Sequence, residues 1–152
     1  MKIQQVKPEN FDVWMKLRKQ FWVNCDEEKH RREMKDYLSS PEKTVFFAEI
    51  EPQNYIGLVE VSIRHLVEGT SHNRVGYLEG LYILPKYRKK NVAKQLISEA
   101  EKWAKEQGCL AMASDTGANN DISIEVHKKL GYKDICRLVH FVKDFEISKP
   151  ND

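Results

Sequence analysis

The sequence predicts one mixed α/β domain, a central mixed sheet of six to seven strands with helices on both faces. Three observations carry this. Short β-rich runs alternate with segments of helical period, a nearly continuous apolar run (75–84) marks a strand buried on both faces, and the run, helix and strand that follow require a right-handed parallel crossover. The 152 residues fall within the size of a single core, so residues 1–152 are read as one domain.

The elements follow in order. Ile3 to Val6 alternates apolar and polar residues and ends at Pro8, and Asn10 is a helix N-cap before Phe11, Trp14, Leu17, Arg18 and Phe21. A second helix runs from Asp26 to Leu38, with acids first and bases after, the order the helix dipole favours, and Pro41 closes it. Thr44–Glu51 and Tyr55–Arg64 form a hairpin across Pro52-Gln53-Asn54. In its second strand Tyr55, Gly57, Val59, Val61 and Ile63 share one face; Glu60, Ser62 and Arg64 make the other face polar. Val75–Leu84 is the central strand. Apolar residues from Val92 to Ala104 then recur at helical spacing, and Gly108 is the stop. Cys109–Ser114 is a short strand, Asn119, Asn120 and Asp121 cap a helix carrying Ile122, Val126 and Leu130, and Lys133 to about Ile147 is a final strand or hairpin.

Composition narrows the function. Apolar residues make up 41% and charged residues 32%, which excludes low-complexity and disordered classes. No run approaches the ~18 apolar residues of a membrane span, and the first ten residues lack an apolar signal core, so a soluble cytoplasmic protein without membrane partners is expected. Cys25, Cys109 and Cys136 are odd in number and lack Cys-x-x-Cys spacing; they read as reduced, mostly buried thiols rather than disulfides or a metal site. Twenty-five Lys and Arg against 23 Asp and Glu are too balanced for a dedicated nucleic-acid binder.

Two constellations remain. Lys86, Arg88, Lys89, Lys90 and Lys94 crowd the turn that opens the helix at Val92, where free backbone N–H groups already favour an anion, and a pyrophosphate fits there. The bland alternative is a solvated basic loop. Glu79 is a lone carboxylate inside an apolar strand, and Asp115 lies at the carboxyl end of the next one, where open α/β sheets bind ligands. Two neighbouring acids can attract a cation and accept a proton from it. The alternatives are a Glu79–Arg64 ion pair and an Asp115 that only opens a turn.

Arg88-Lys89-Lys90-Asn91-Val92-Ala93, after Tyr82-Ile83-Leu84-Pro85, resembles the (Arg/Gln)-x-x-Gly-x-(Gly/Ala) acetyl-CoA signature of the GNAT acetyltransferase superfamily. Asn91 replaces the usual Gly, and after Gly it best tolerates left-handed geometry. Leu17-Arg18, Phe21-Trp22, His30 to Met34, Ser62 to Arg64, Leu78 to Tyr82, Ala113 to Thr116 and Val126 to Tyr132 resemble successive blocks of the aminoglycoside 6'-N-acetyltransferases.

The resemblance implies a GNAT fold and transfer of the acetyl group of acetyl-CoA to the 6'-amine of an aminoglycoside, by direct attack of the deprotonated amine through a tetrahedral intermediate. The alternative acceptor is another small amine or a protein amine. No metal is implied. Glu79 and Asp115 are the implied base and amine-binding acid, in either order. Coenzyme contacts are expected from Leu81, Tyr82, Ile83, Arg88, Lys89, Lys90, Asn91, Val92, Ala93, Asn120 and His127. His127 stands where many members carry a Tyr that protonates the leaving thiolate; His127, Tyr82 or water is the acid here, and packing or capping is an equal reading of His127. Trp22, Asp26, Tyr77, Asp121 and Glu125, with both acids, are acceptor-pocket candidates, since a polycationic sugar wants carboxylates and an aromatic face. Trp22 is also a core candidate, and Asp26, Glu27 and Glu28 also suit a helix first turn. A homodimer is expected, because Arg137 to Val142 is an apolar run that would be hazardous at an uncovered sheet edge, and the resembling enzymes are commonly dimers.

Overall fold

A computed structural model of the chain describes residues 1–146. Its elements are β1 (Lys2–Gln5), α1 (Phe11–Phe21), α2 (Glu27–Ser39), β2 (Lys43–Glu51), β3 (Asn54–Arg64), β4 (Val75–Ile83), α3 (Val92–Glu106), β5 (Ala111–Ser114) and α4 (Asp121–Lys129). The strands form one mixed sheet in the order β1-β2-β3-β4-β5, antiparallel up to β4 and parallel between β4 and β5. The crossover through α3 is therefore present as expected.

The two sheet faces bury different helices. Trp14, Met15 and Leu17 of α1 and Met34 of α2 pack with Val45, Phe47 and Leu58. On the other face Val92, Leu96, Ile97 and Ala100 of α3 cover Phe46, Val59, Val61 and Leu78. Each large α3 side chain so buried is worth roughly 1.5–3 kcal/mol, so α3 owes its stability to this stripe more than to propensity. Asp26 caps α2 by accepting from the Lys29 N–H at 2.8 Å, and Asn120 caps α4 from Ser123 at 3.1 Å. Gly108 ends α3 with φ +84°.

Three expectations need correction. Among the described residues the sheet has five strands, because residues 133–146 take no regular structure; Ile147, the expected end of the last strand, lies outside the described residues. The apolar run Arg137 to Val142 is there, but a strand needs an edge to pair with, and Leu138, Val139, Phe141, Val142 and Phe145 are exposed. Second, Tyr55 does not share the face of Val59. A register shift where Ala48 pairs with Gly57 and Glu49 with Tyr55 turns Tyr55 toward Phe47, beneath α1. Third, only Cys109 is a buried thiol; Cys25 is half-buried and Cys136 exposed, and all three are free. No helix among the described residues is long and apolar enough to cross a membrane.

Candidate active site

Two irregularities of the sheet coincide. In the β3–β4 ladder Glu60 pairs with Gly80 and Val61 with Leu78, which leaves Glu79 as one extra residue, a β-bulge. The parallel β4–β5 ladder stops at the pair Leu78–Ser114. Glu79 and Asp115 are each the first residue beyond that last rung, where the two strands part. The second half of β4, from Glu79 to Ile83, pairs only with β3 among the described residues.

The two acids are linked through side chains of β3 and β4. Arg64 grips Glu79 with two bonds, Nε to Oε1 at 2.8 Å and a terminal nitrogen to Oε2 at 2.7 Å, and the Ser62 hydroxyl donates to Oε1 at 2.6 Å. The Glu79–Arg64 pairing weighed from sequence is thus present, inside the site rather than apart from it. The same guanidinium lies 3.5 Å from the centre of the Tyr77 ring, and the Tyr77 hydroxyl donates to Asp115 Oδ2. Burial, and then the bond to Asp115, push the Tyr77 phenol well above its ordinary range, so it stays a donor. The bond to Glu79 raises Arg64 further.

A cavity of about 370 Å³ opens beside Glu79 between α1, α2 and the sheet, lined in part by Trp22, Cys25, Glu33, Tyr37 and Glu60. Trp22 lies against Gly80, where a Cβ would come within 2.6 Å of the indole. Arg18 stacks on that indole at 4.7 Å. Beneath it is a buried polar set. Glu60 accepts from the Trp14 indole N–H at 2.8 Å and lies 3.4 Å from Arg18, which also donates to His30 Nδ1 at 3.1 Å and pairs with Glu33. Arg18 Nη1 and His30 Nε2 make no hydrogen bond among the described residues. Burial raises Glu60 to about 7 against the opposing pull of Arg18 and Trp14. His30 is pushed down by burial and then by Arg18.

The basic turn has the form an anion site needs. After a 3-10 turn at Pro85–Tyr87, Lys89 and Asn91 both adopt φ +61°, so Asn91 takes the left-handed conformation expected of it. Among the described residues no side chain caps α3, which leaves its first-turn N–H groups open, and Lys86, Arg88, Lys89, Lys90 and Lys94 lie close to them along the chain. Arg88 turns back to donate to the Ile83 carbonyl at 3.0 Å.

The other candidates are placed as follows. Leu81 joins the α3 side of the core, while the Tyr82 ring stacks on Phe21 of α1 at 5.4 Å. Asp26 and Asn120 use their side-chain oxygens as helix caps. Asp121 is exposed in the first turn of α4, and Glu125 pairs with Lys129 at 3.0 Å. His127 engages both ring nitrogens, Nδ1 with the Ser123 carbonyl at 2.7 Å and Nε2 with the Ser114 hydroxyl at 2.9 Å. If Nδ1 carries the proton, Nε2 accepts from Ser114 and ties α4 to the end of β5. Sequence reading missed Glu33, Tyr37 and Glu60 as cavity walls; Glu60 had a signal, its place on the polar face of β3.

The acetyltransferase (GNAT) family model matches residues 11–132. An aminoglycoside N(6')-acetyltransferase type 1 of Acinetobacter genomosp. 13 is 38% identical over 94% of this chain and 98% of its own length. Its counterpart from Salmonella typhimurium is 36% identical over 94% and 99%. Among solved structures, AAC(6')-Iy in complex with the bisubstrate analogue CoA-S-monomethyl-acetylneamine superposes with a TM-score of 0.89 at 34% identity, covering 95% of this chain and 98% of that one. The aminoglycoside 6'-N-acetyltransferase of Acinetobacter haemolyticus superposes at 0.87 and 35%, covering 96% and 100%.

Proposed function

The chain belongs to the acetyltransferase (GNAT) family, and from that premise we propose that it moves the acetyl group of acetyl-CoA to the 6'-amine of aminoglycosides, giving resistance. The observation that carries this reading is that Glu79 and Asp115 stand where β4 and β5 part, and that β4 leads on into the open N-terminus of α3.

Each part has a role in the reaction. The first-turn amides of α3 and the nearby cations take the pyrophosphate, and the edge of β4 facing away from β3 near Leu81–Ile83 pairs with the pantetheine arm. Arg88 releases the Ile83 carbonyl as the arm arrives. The acceptor enters beside Trp22, and Glu79 and Asp115 receive its ammonium and take one proton from it. The free amine attacks the thioester carbonyl, which backbone N–H groups of β4 polarise. A C–N bond forms, the C–S bond breaks, and the departing thiolate takes up the second proton that the attacking nitrogen loses.

A homodimer and a cytoplasmic location belong to the same reading. The exposed apolar residues of segment 133–146 and the open outer edge of β5 among the described residues favour burial against a second copy. Use of acetyl-CoA suits the cytoplasm.

A thiol-release assay with kanamycin, tobramycin, polyamines and peptides tests the substrate. Turnover of the 6'-amino aminoglycosides is expected; robust turnover of another amine with none of these rejects it. Glu79→Gln and Asp115→Asn should each lower kcat/KM by roughly 10²-fold. Light scattering after gel filtration should give the mass of two chains, and a fully active single chain overturns the dimer.

A further inference from the structure

The two acids of the site are held by one side chain that is not itself an acid. Arg64 presents the edge of its guanidinium to Glu79 and its face to Tyr77, whose hydroxyl is bonded to Asp115. The group is planar and rigid, so its edge contact and its face contact are fixed relative to each other. Lys, a point charge on a flexible stem, can supply the charge but neither the fork nor the stack.

The bond count at Glu79 shows what this achieves. Each carboxylate oxygen offers two lone-pair sites. Oε1 receives Ser62 and Arg64, and Oε2 receives Arg64 alone, which leaves one acceptor position on Oε2. Asp115 receives Tyr77 on Oδ2 and keeps Oδ1. Glu79 thus keeps one open acceptor site, on Oε2, while Asp115 keeps three, two of them on the wholly free Oδ1, and the cluster of two acids and one guanidinium carries a single net negative charge, matched to one ammonium.

We propose that Arg64 is a positioning residue for the acceptor amine: it couples Glu79 to the Tyr77–Asp115 pair and aims their open oxygen sites at one incoming nitrogen. This rests on the proposed acetyl transfer at the same site. The Arg64 side chain is 43% exposed, so its removal should leave the fold intact.

The test uses Arg64→Met and Arg64→Lys in the full chain, assayed with whichever amine the wild type turns over, so that a wrong acceptor assignment shows in the wild type and not in the variants. Arg64→Met makes the cluster more negative but misaligned. Its acceptor KM should hold or fall while kcat drops about tenfold or more, with KM for acetyl-CoA unchanged. Arg64→Lys should restore the acceptor KM of the wild type but not kcat. The effects of Glu79→Gln and Tyr77→Phe should be non-additive with Arg64 present and additive in Arg64→Met. Wild-type kcat in Arg64→Lys, a raised acceptor KM with unchanged kcat in Arg64→Met, or coupling that survives without Arg64 each overturns the proposal.

Discussion

Trp22 rests on Gly80 so closely that a methyl group there would lie 2.6 Å from Cη2 and 2.7 Å from Cζ2 of the indole. Gly80 sits beside the bulged Glu79, so the strand irregularity and the aromatic wall of the cavity share one backbone position. Gly80→Ala should therefore displace Trp22 and raise the acceptor KM severalfold, with KM for acetyl-CoA unchanged. Steady-state kinetics with both substrates varied checks this, and an unchanged acceptor KM contradicts it.

Asn91 holds φ +61° at the entrance of α3. Asn91→Gly should preserve stability and coenzyme KM, whereas Asn91→Val should lose about 1–2 kcal/mol and raise KM for acetyl-CoA at little cost to kcat. Neutralising Lys89 should raise the same KM. Urea unfolding and initial rates separate the two effects.

Arg18 is the partner of a buried carboxylate, and its replacement by Met should cost about 3–5 kcal/mol, because Glu60 then lacks its counter-charge. The loss depends on pH. Glu60 is raised in the folded state to about 7 from 4.5, so its protonated form favours folding below pH 4.5 and that contribution disappears as pH rises through 7. Arg18→Met should accordingly be less damaging at pH 5.5 than at pH 8. Equal losses at both pH values would refute the assignment.

The exposed pair His65–Glu42, at 3.0 Å, anchors the loop after β3. Glu42 raises His65 above its ordinary 6.5, and His65 lowers Glu42 below 4.5. The His65 contribution is complete below pH 6.5 and is lost as pH rises through its raised value; that of Glu42 is complete above pH 4.5 and is lost on acidification. Amide exchange in residues 66–73, corrected for intrinsic rates, should accelerate from pH 6 to pH 8.5, and His65→Gln should remove that dependence.

Much of this was legible in the sequence because it depends on periodicity. The stripe from Val92 to Ala104 allows only one helix face to be buried, and the run from Val75 to Leu84 has no polar side to offer to water except at Glu79. Strand pairing was less legible. Nothing in Leu78-Glu79-Gly80 signals that one residue is extra, since a continuously apolar strand hides a change of face, and the same blindness put Tyr55 on the wrong side. Trp14 and Glu60 are 46 residues apart, so their bond follows only from the way α1 crosses the sheet. The last strand was expected in a segment that holds the apolar run Arg137 to Val142, and such a run reports a preference for burial and not the presence of a partner.

The half of β4 that pairs on one edge only among the described residues makes the coenzyme a thermodynamic component of the folded protein on the reading proposed above. A ligand that binds only the native state stabilises it by mass action, by about 2.7 kcal/mol at a hundredfold excess over Kd. Folded lifetime would then follow the supply of acetyl-CoA. A cell short of acetyl groups would lose not only turnover of the antibiotic but, through proteolysis of the opened chain, some of the enzyme itself.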